Sequence, residues 1–156
     1  MDKMCQKIGL CSKQKDAQKL LEKLLDMMHQ GHSDYTLTFR YLSNVLSDKG
    51  DRKFREQFTK QDDVSEWLLK WLAYIDNQGQ SKEKVYRKMQ LINPVYIPRN
   101  HLVERIIQAA VDHYDFSGMK TLSNILNDPY KEQNVDIDYM SPPKPSEVVH
   151  QTFCGT

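Results

Sequence analysis

The stretch DDVSEWLLKWLAYIDN, residues 62–77, decides the fold class. Its apolar side chains recur every three or four positions, which places them on one face of an α-helix. This is the strongest apolar stripe in the sequence, so we expect the helix to lie at the centre of the core, with Asp62 or Asp63 as its N-cap. The stripe consists of Val64, Trp67, Leu68, Trp71, Leu72 and Ile75.

The same spacing on both sides of this stretch predicts six further helices, separated by Gly and Pro residues. One of them ends at Asn93-Pro94, because the residue before a proline avoids the helical conformation. A short extended crossing follows, and Asn100 is predicted to cap the next helix. The predicted helices run from a Ser12 cap to about His29, from Ser33 or Asp34 through Leu46, over 52–59, from Ser81 to Asn93, from Asn100 through Ala110, and over 117–127. The helix after Asn100 is predicted to bury Leu102, Val103, Ile106, Ile107 and Ala110.

No window alternates in the manner of a strand, so the sequence predicts an all-α bundle of about six or seven helices. Residues 131–156 differ from this pattern, because the run Ser141-Pro142-Pro143-Lys144-Pro145 cannot be helical. We therefore expect a helical domain over 1–130 and an extended, proline-containing C-terminal tail over 131–156. The tail either lies over the body or hangs free.

Composition and charge limit the classes of function. The 156 residues are 39% hydrophobic and 28% charged, which is typical of one soluble folded domain. Lys and Arg total 22 against 21 Asp and Glu, so the chain lacks the basic surface of a nucleic-acid binder. No apolar run approaches the roughly 20 residues of a membrane span. The three cysteines lack a disulfide-framework spacing, which favours reduced thiols and a cytoplasmic location.

A zinc site is one alternative that the sequence offers. His29 and His32 flank a glycine, and Cys5 and Cys11 lie upstream, so four ligands can meet if the first helices fold back on one another. The spacing is against this reading, because structural zinc sites usually place their cysteines two to four residues apart. We expect no metal site in this chain.

The sequence shows no motif of a nucleophilic elbow and no Gly-rich phosphate loop, so no catalytic or cofactor-binding residue is predicted. Arg99 and Asn100 follow the proline-bounded crossing and precede a helix, where a guanidinium and exposed amides can hold an anion. The plainer interpretation is capping by Asn100 beside a solvated Arg99. Cys154 lies third from the C-terminus, where a thiol is accessible to oxidation, and is the redox candidate.

Several stretches together resemble the C-terminal region of the selenoprotein O family, whose members are kinase-like protein adenylyltransferases. The order and spacing of these stretches extend through most of the chain. The matching residues are Asp34-Tyr35-Thr36-Leu37, Phe39-Arg40, Leu42-Ser43, Asn93-Pro94-Val95-Tyr96, Arg99-Asn100-His101-Leu102, Asn127-Asp128-Pro129-Tyr130, Glu132-Gln133, Pro142-Pro143 and a cysteine close to the C-terminus.

The resemblance implies that full-length members transfer AMP from ATP, with magnesium, to Ser, Thr or Tyr hydroxyls of proteins. The Gly-rich loop, the ATP-holding lysine and the metal-binding Asp and Asn of the family belong to a kinase-like core, and none of these motifs occurs in this sequence. We therefore expect the chain alone not to catalyse the reaction. The implied partner is the kinase-like core of the same protein, with Arg99 and Asn100 as a candidate contact.

The resemblance also implies a role for Cys154, because family members carry a selenocysteine or cysteine near the C-terminus that is implicated in redox control. A lone cysteine needs a second thiol elsewhere to form a disulfide. Two alternatives stay open at this point. The chain can be a standalone, non-catalytic helical module that binds another protein, or Cys154 can be a redox catalyst in its own right.

Overall fold

The computed structural model describes residues 2–10 and 15–149, and within them the prediction of an all-α fold is confirmed. These residues form eight α-helices and two short 3-10 helices, and no strand occurs among them. The α-helices are α1 (Asp2–Lys7), α2 (Lys15–Gly31), α3 (Tyr35–Asn44), α4 (Arg52–Arg55), α5 (Gln61–Asn77), α6 (Lys82–Ile92), α7 (Asn100–His113) and α8 (Ser117–Leu126). None of the helices in this part of the chain is long and apolar enough to span a membrane.

The chain divides into two compact units, Met1–Pro94 and Val95–Thr156, called unit 1 and unit 2. Unit 1 holds α1 to α6, and unit 2 holds α7, α8 and the two 3-10 helices. The predicted boundary at residue 130 lies inside unit 2. The division into 1–130 and 131–156 stays a prediction, since compactness alone does not show which parts fold independently.

The stretch that predicts the fold class forms the centre of unit 1. Helix α5 packs on α2 and α6, and its apolar stripe is buried as predicted except for the half-buried Leu72. Trp67 and Trp71 stack with their ring centroids 5.9 Å apart. Each indole also donates a hydrogen bond to a backbone carbonyl, from Trp67 to Leu20 at 2.9 Å and from Trp71 to Ile8 at 2.8 Å. Both tryptophans are therefore core residues.

The predicted caps are partly correct. The Asp34 carboxylate caps α3 by accepting from the Leu37 amide at 2.8 Å, and Ser81 caps α6. The cap predicted for α5 is wrong, because Lys60 is the N-cap and Asp62 and Asp63 lie in the first turn. The Gln61 side chain explains the earlier start, since its amide donates to the carbonyls of Arg55 at 3.1 Å and Phe58 at 2.9 Å.

Helix α1 is missing from the sequence-based prediction. This helix has only six residues, too few to show a repeated apolar pattern. The helix is stabilised by packing on α2 and α6, and Cys5 and Ile8 are fully buried there. The predicted Ser12 cap lies outside the described residues.

Unit 2 has a small core around the crossing that follows Pro94. The Val95 and Tyr96 amides both donate to the Pro129 carbonyl, at 2.8 and 3.2 Å, and both side chains are buried with Ile125. Leu126, Val135, Tyr139 and Met140 pack against this cluster. The beginning of the predicted tail is therefore part of unit 2 and packs on its core, and it contains the 3-10 helices Ile137–Tyr139 and Pro145–Glu147.

Three local predictions in unit 2 are wrong in whole or in part. Arg99, not Asn100, is the N-cap of α7, because the extended backbone of the crossing continues through Arg99. Pro145 is helical, since it occupies the first position of a 3-10 helix, where a proline without an N–H is tolerated. The predicted buried stripe of α7 is also incomplete, because only Leu102 is buried and Ile107 is 50% exposed.

Gly9 follows α1 and has a left-handed backbone conformation (φ +70°). A Cβ atom at this position would lie 2.6 Å from Val85 Cγ1. We expect Gly9→Ala to lower the free energy of unfolding by about 2–3 kcal/mol, since left-handed strain and overpacking each cost about 1 kcal/mol or more. Gly50→Ala is the matched control, because Gly50 has φ +68° with no neighbour within 4 Å. Urea unfolding measures both variants, and equal losses would contradict the packing argument.

Candidate functional site

The residues of the first matching stretches meet in a buried polar cluster of unit 1, which we call the Arg40 clamp. Arg40 is 4% exposed, and its Nη1 donates to the backbone carbonyls of Asn93 at 3.2 Å and Gln90 at 3.3 Å. These carbonyls lie at the C-terminal end of α6, which carries the negative end of the helix dipole. The guanidinium of α3 thus satisfies the end of α6 and joins the two helices.

Asn93 extends the clamp to α1. Its side-chain amide donates to the Lys7 carbonyl at 2.7 Å, and its side-chain oxygen accepts from Lys7 Nζ at 3.4 Å. The Lys7 ammonium also lies 5.3 Å from the ring centroid of Phe39 and 5.7 Å from that of Tyr35, within cation–π range. Burial lowers the pKa of Lys7. One asparagine therefore connects the ends of α1 and α6.

Gln90 completes the clamp from α6. Its amide donates to Ser43 Oγ at 2.6 Å and to Asn44 Oδ1 at 3.3 Å, and both acceptors are buried residues of α3. The resulting network consists of donors and acceptors that fix three helix ends. Its chemistry is that of a structural joint.

Sequence reasoning missed the Arg40 clamp. The spacing of the residues in α3 could have indicated it. Arg40 and Asn44 follow Leu37 at three-and-four spacing, so they lie on the buried face of the helix. A charged residue on such a face needs polar partners, and the Asn93-Pro94 helix end supplies two carbonyls. The sequence does not show that these two segments are neighbours in space.

The candidates Arg99 and Asn100 lie in unit 2 with different exposures. Arg99 is 7% exposed, which contradicts the expectation of a solvated guanidinium. Asn100 is exposed at the first position of α7, and the side chain of the N-cap Arg99 makes no capping bond. Arg105 Nη1 lies 3.5 Å from Asp138 Oδ2, which connects α7 to the first 3-10 helix. The role of Arg99 and Asn100 in binding an anion or a core stays a prediction.

His101 lies among charges of both signs in the same part of unit 2. The pKa of His101 is lowered, mainly by burial. The charges of Arg99 and Arg105 lower this pKa further, whereas those of Glu147 and Asp138 act to raise it. The amide of Lys144 donates to the Glu147 carboxylate at 2.9 Å and lowers the pKa of Glu147. The arginines therefore share their surroundings with acidic groups.

A cleft of about 340 Å³ lies between α2 and α5 in unit 1. Tyr74 lines it, and a hydrogen bond to Asp16 raises the pKa of the Tyr74 hydroxyl. Three lysines and three carboxylates surround the opening, so the cleft has no net formal charge that selects an anion or a cation. These charged residues are Lys19, Lys23, Lys70, Asp16, Asp63 and Glu66.

The candidate zinc ligands and the redox candidate Cys154 lie in different parts of the chain. Cys154 and Cys11 lie outside the described residues, and Cys5 is fully buried in the core of unit 1. His29 and His32 are exposed at the end of α2. Among residues 2–10 and 15–149, no three His, Cys, Asp or Glu side chains are close enough to share a metal ion.

Comparison with known proteins assigns the chain to one family. The family model "Protein adenylyltransferase SelO" matches residues 1–127, which is most of the chain. The chain belongs to the SelO family, as the resemblance of its sequence stretches predicts.

Similar proteins are named "Protein nucleotidyltransferase YdiU". The chain is 43% identical to the one from Maridesulfovibrio salexigens over 153 residues, which are 98% of this chain and 31% of that protein. It is 40% identical to the one from Rhizobium johnstonii over 154 residues, again 98% and 31%. It is 39% identical to the one from Bacillus mycoides over 150 residues, 96% and 30%. The chain thus spans about a third of the length of the curated relatives it matches.

Proposed function

We propose that this chain is the C-terminal helical segment of a SelO-like protein adenylyltransferase, which transfers AMP from ATP, with magnesium, to Ser, Thr or Tyr hydroxyls of proteins. In this proposal the kinase-like core holds ATP and magnesium, and the chain itself supplies no catalytic residue. The chain supports that core as a rigid helical body. We also propose a cytoplasmic location, since the cysteine pattern suits a reducing compartment.

The Arg40 clamp is the observation that carries this proposal. Arg40, Ser43 and Asn93 belong to the stretches that resemble the family, and their polar groups are engaged in hydrogen bonds between helices. Transfer of a nucleotidyl group needs charged groups positioned around the phosphates and the metal. Arg40, Ser43 and Asn93 already form hydrogen bonds at buried helix ends. This favours a supporting role for these residues over a catalytic one.

Cys154 is the proposed regulatory group. Its thiol would form a disulfide with a cysteine of the kinase-like core, and a thiol oxidant such as glutathione disulfide would take up the two electrons and two protons released. Peptide mapping of the oxidised whole protein tests this role. If Cys154 stays a free thiol while the activity still responds to oxidation, Cys154 is not the regulatory group.

The supporting role is tested in a chimera of the Maridesulfovibrio salexigens relative whose 153 matching residues are exchanged for this chain. We expect the chimera to transfer AMP to protein hydroxyls within about tenfold of the parent protein, which amounts to about 1.4 kcal/mol in the barrier. The 156-residue chain alone is expected to show no magnesium-dependent rise in melting temperature with ATP.

Each half of this experiment has a result against the proposal. A saturable ATP-dependent stabilisation of the chain alone would place a nucleotide site within it. A chimera that melts cooperatively like its parent but transfers no AMP would show that this chain does not replace the family's helical segment. The parent protein is the positive control in both cases.

A further inference from the structure

Helix α7 has apolar residues on two sides, and unit 2 covers only one of them. Leu102 in its first turn is 1% exposed. Ile107 and Val111 lie five and nine positions further along, which places them on the other side of the helix, and they are 50% and 68% exposed. This second side of α7 is therefore not covered within unit 2.

Further exposed apolar residues lie at the junction of α7 and α8. Tyr114, which ends α7 in a left-handed conformation, is 83% exposed, and Phe116 and Met119 are 46% and 52% exposed. The first turn of α8 lies against α7, since a Cβ atom on Gly118 would approach Ile106 Cγ1 to 3.0 Å. The exposed apolar residues of this region are called the α7–α8 face and are defined as Ile107, Val111, Tyr114, Phe116 and Met119. Exposed apolar surface concentrated in this way marks interaction sites.

We propose that the α7–α8 face docks on the part of the family protein that lies outside this chain's match, and this inference rests on the proposed function. The relatives match over only 30–31% of their length, so more than two thirds of each protein is available to cover the face. A surface within the same protein is present at high effective concentration, which favours it over a free partner.

The charges at the edge of the face indicate the chemistry of the covering surface. Asp112 and Asp115 are both exposed beside it. A hydrogen bond from Ser117 lowers the pKa of Asp115, so this carboxylate is ionised near neutral pH. The covering surface should therefore be apolar at its centre and basic at its edge. Two copies of the face would bring like charges together, which disfavours self-association.

The test uses Val111→Lys in the chimera, with Leu69→Lys as the matched control. Leu69 is 72% exposed on α5 of unit 1, so both variants exchange an exposed apolar helix residue for the same cation. We expect Val111→Lys to lower the melting temperature of the chimera by at least 5 °C and AMP transfer by at least tenfold, whereas Leu69→Lys changes neither. In the 156-residue chain, both variants should melt within 2 °C of the parent.

Tyr114→Asn provides a second variant if Val111→Lys unfolds the isolated chain. Asparagine tolerates the left-handed conformation of this position, so the helix end is kept while the exposed ring is removed. The chimera should again lose stability and activity. A chimera in which both variants behave like Leu69→Lys would overturn the docking proposal.

Two further outcomes separate this inference from the proposed function. If the unaltered chimera is inactive, the proposed function fails, but the melting temperature still reports docking. If the 156-residue chain forms dimers in sedimentation equilibrium and Val111→Lys dissociates them, the face is a contact between copies and the proposal is wrong.

Discussion

Replacing Trp71 by alanine lowers the free energy of unfolding of the chain by about 4 kcal/mol, within the range for large aromatic core residues. Trp71 is fully buried, and its ring stacks on Trp67 at 5.9 Å. The substitution removes this stacking and leaves a cavity. It also takes away the donor that the buried Ile8 carbonyl accepts from at 2.8 Å. Far-ultraviolet circular dichroism during urea unfolding measures the loss.

Two controls separate the contributions at Trp71. Trp71→Phe keeps most of the apolar volume and removes the indole N–H, so we expect a loss of about 1–2 kcal/mol. Leu69→Ala changes a residue of the same helix that is 72% exposed, and should stay within about 0.5 kcal/mol of the parent. A loss for Trp71→Ala no larger than that of Leu69→Ala would contradict the central position of α5.

The helices with long apolar stripes could be predicted from the sequence, because periodicity reports a local property. Helix α5 and the caps Asp34 and Ser81 depend on neighbours within four positions. Helix α1 could not be found this way, since its stability comes from burial of Cys5 and Ile8 against distant helices. Short segments obtain their structure from tertiary packing.

The stripe of α7 shows the opposite limit of sequence reasoning. The spacing of its apolar residues predicts the helix correctly, but it does not say which side of the helix the chain covers. Leu102 is buried within the chain, while Ile107 and Val111 remain exposed. Apolar periodicity therefore predicts a surface that needs burial, and the partner can belong to a part of the protein beyond the matched segment.

The candidate site had the same limit, because it depends on contacts between residues far apart in sequence. Arg40 and the Asn93 carbonyl are 53 positions apart, and Asn93 and Lys7 are 86 apart. The resemblance to a family selected Arg40 and Asn93, but their roles as donors at helix ends required the structure. Arg99, for which the plainer interpretation predicts a solvated guanidinium, is buried instead.

Arg40→Met is expected to lower the free energy of unfolding by about 3 kcal/mol. Methionine retains much of the aliphatic volume, so the principal change is loss of the charged donor. Two carbonyls at the end of α6, those of Gln90 and Asn93, then lack the Nη1 donor. Hydrogen bonds to a charged group contribute about 1.5–3 kcal/mol, and a buried acceptor without its donor adds a further cost. Urea unfolding measures the loss.

Arg87→Met on α6 is the matched control for Arg40→Met, since the Arg87 side chain is 74% exposed and pairs with Glu83 at the surface. Loss of such a pair costs about 0.5 kcal/mol or less. Arg40→Lys should lie between the two, because an ammonium keeps the charge but lacks the planar guanidinium whose Nη1 donates to both carbonyls. If Arg40→Met were no more destabilising than Arg87→Met, the clamp would not fix the end of α6. The supporting role proposed for this segment would then lose its physical basis.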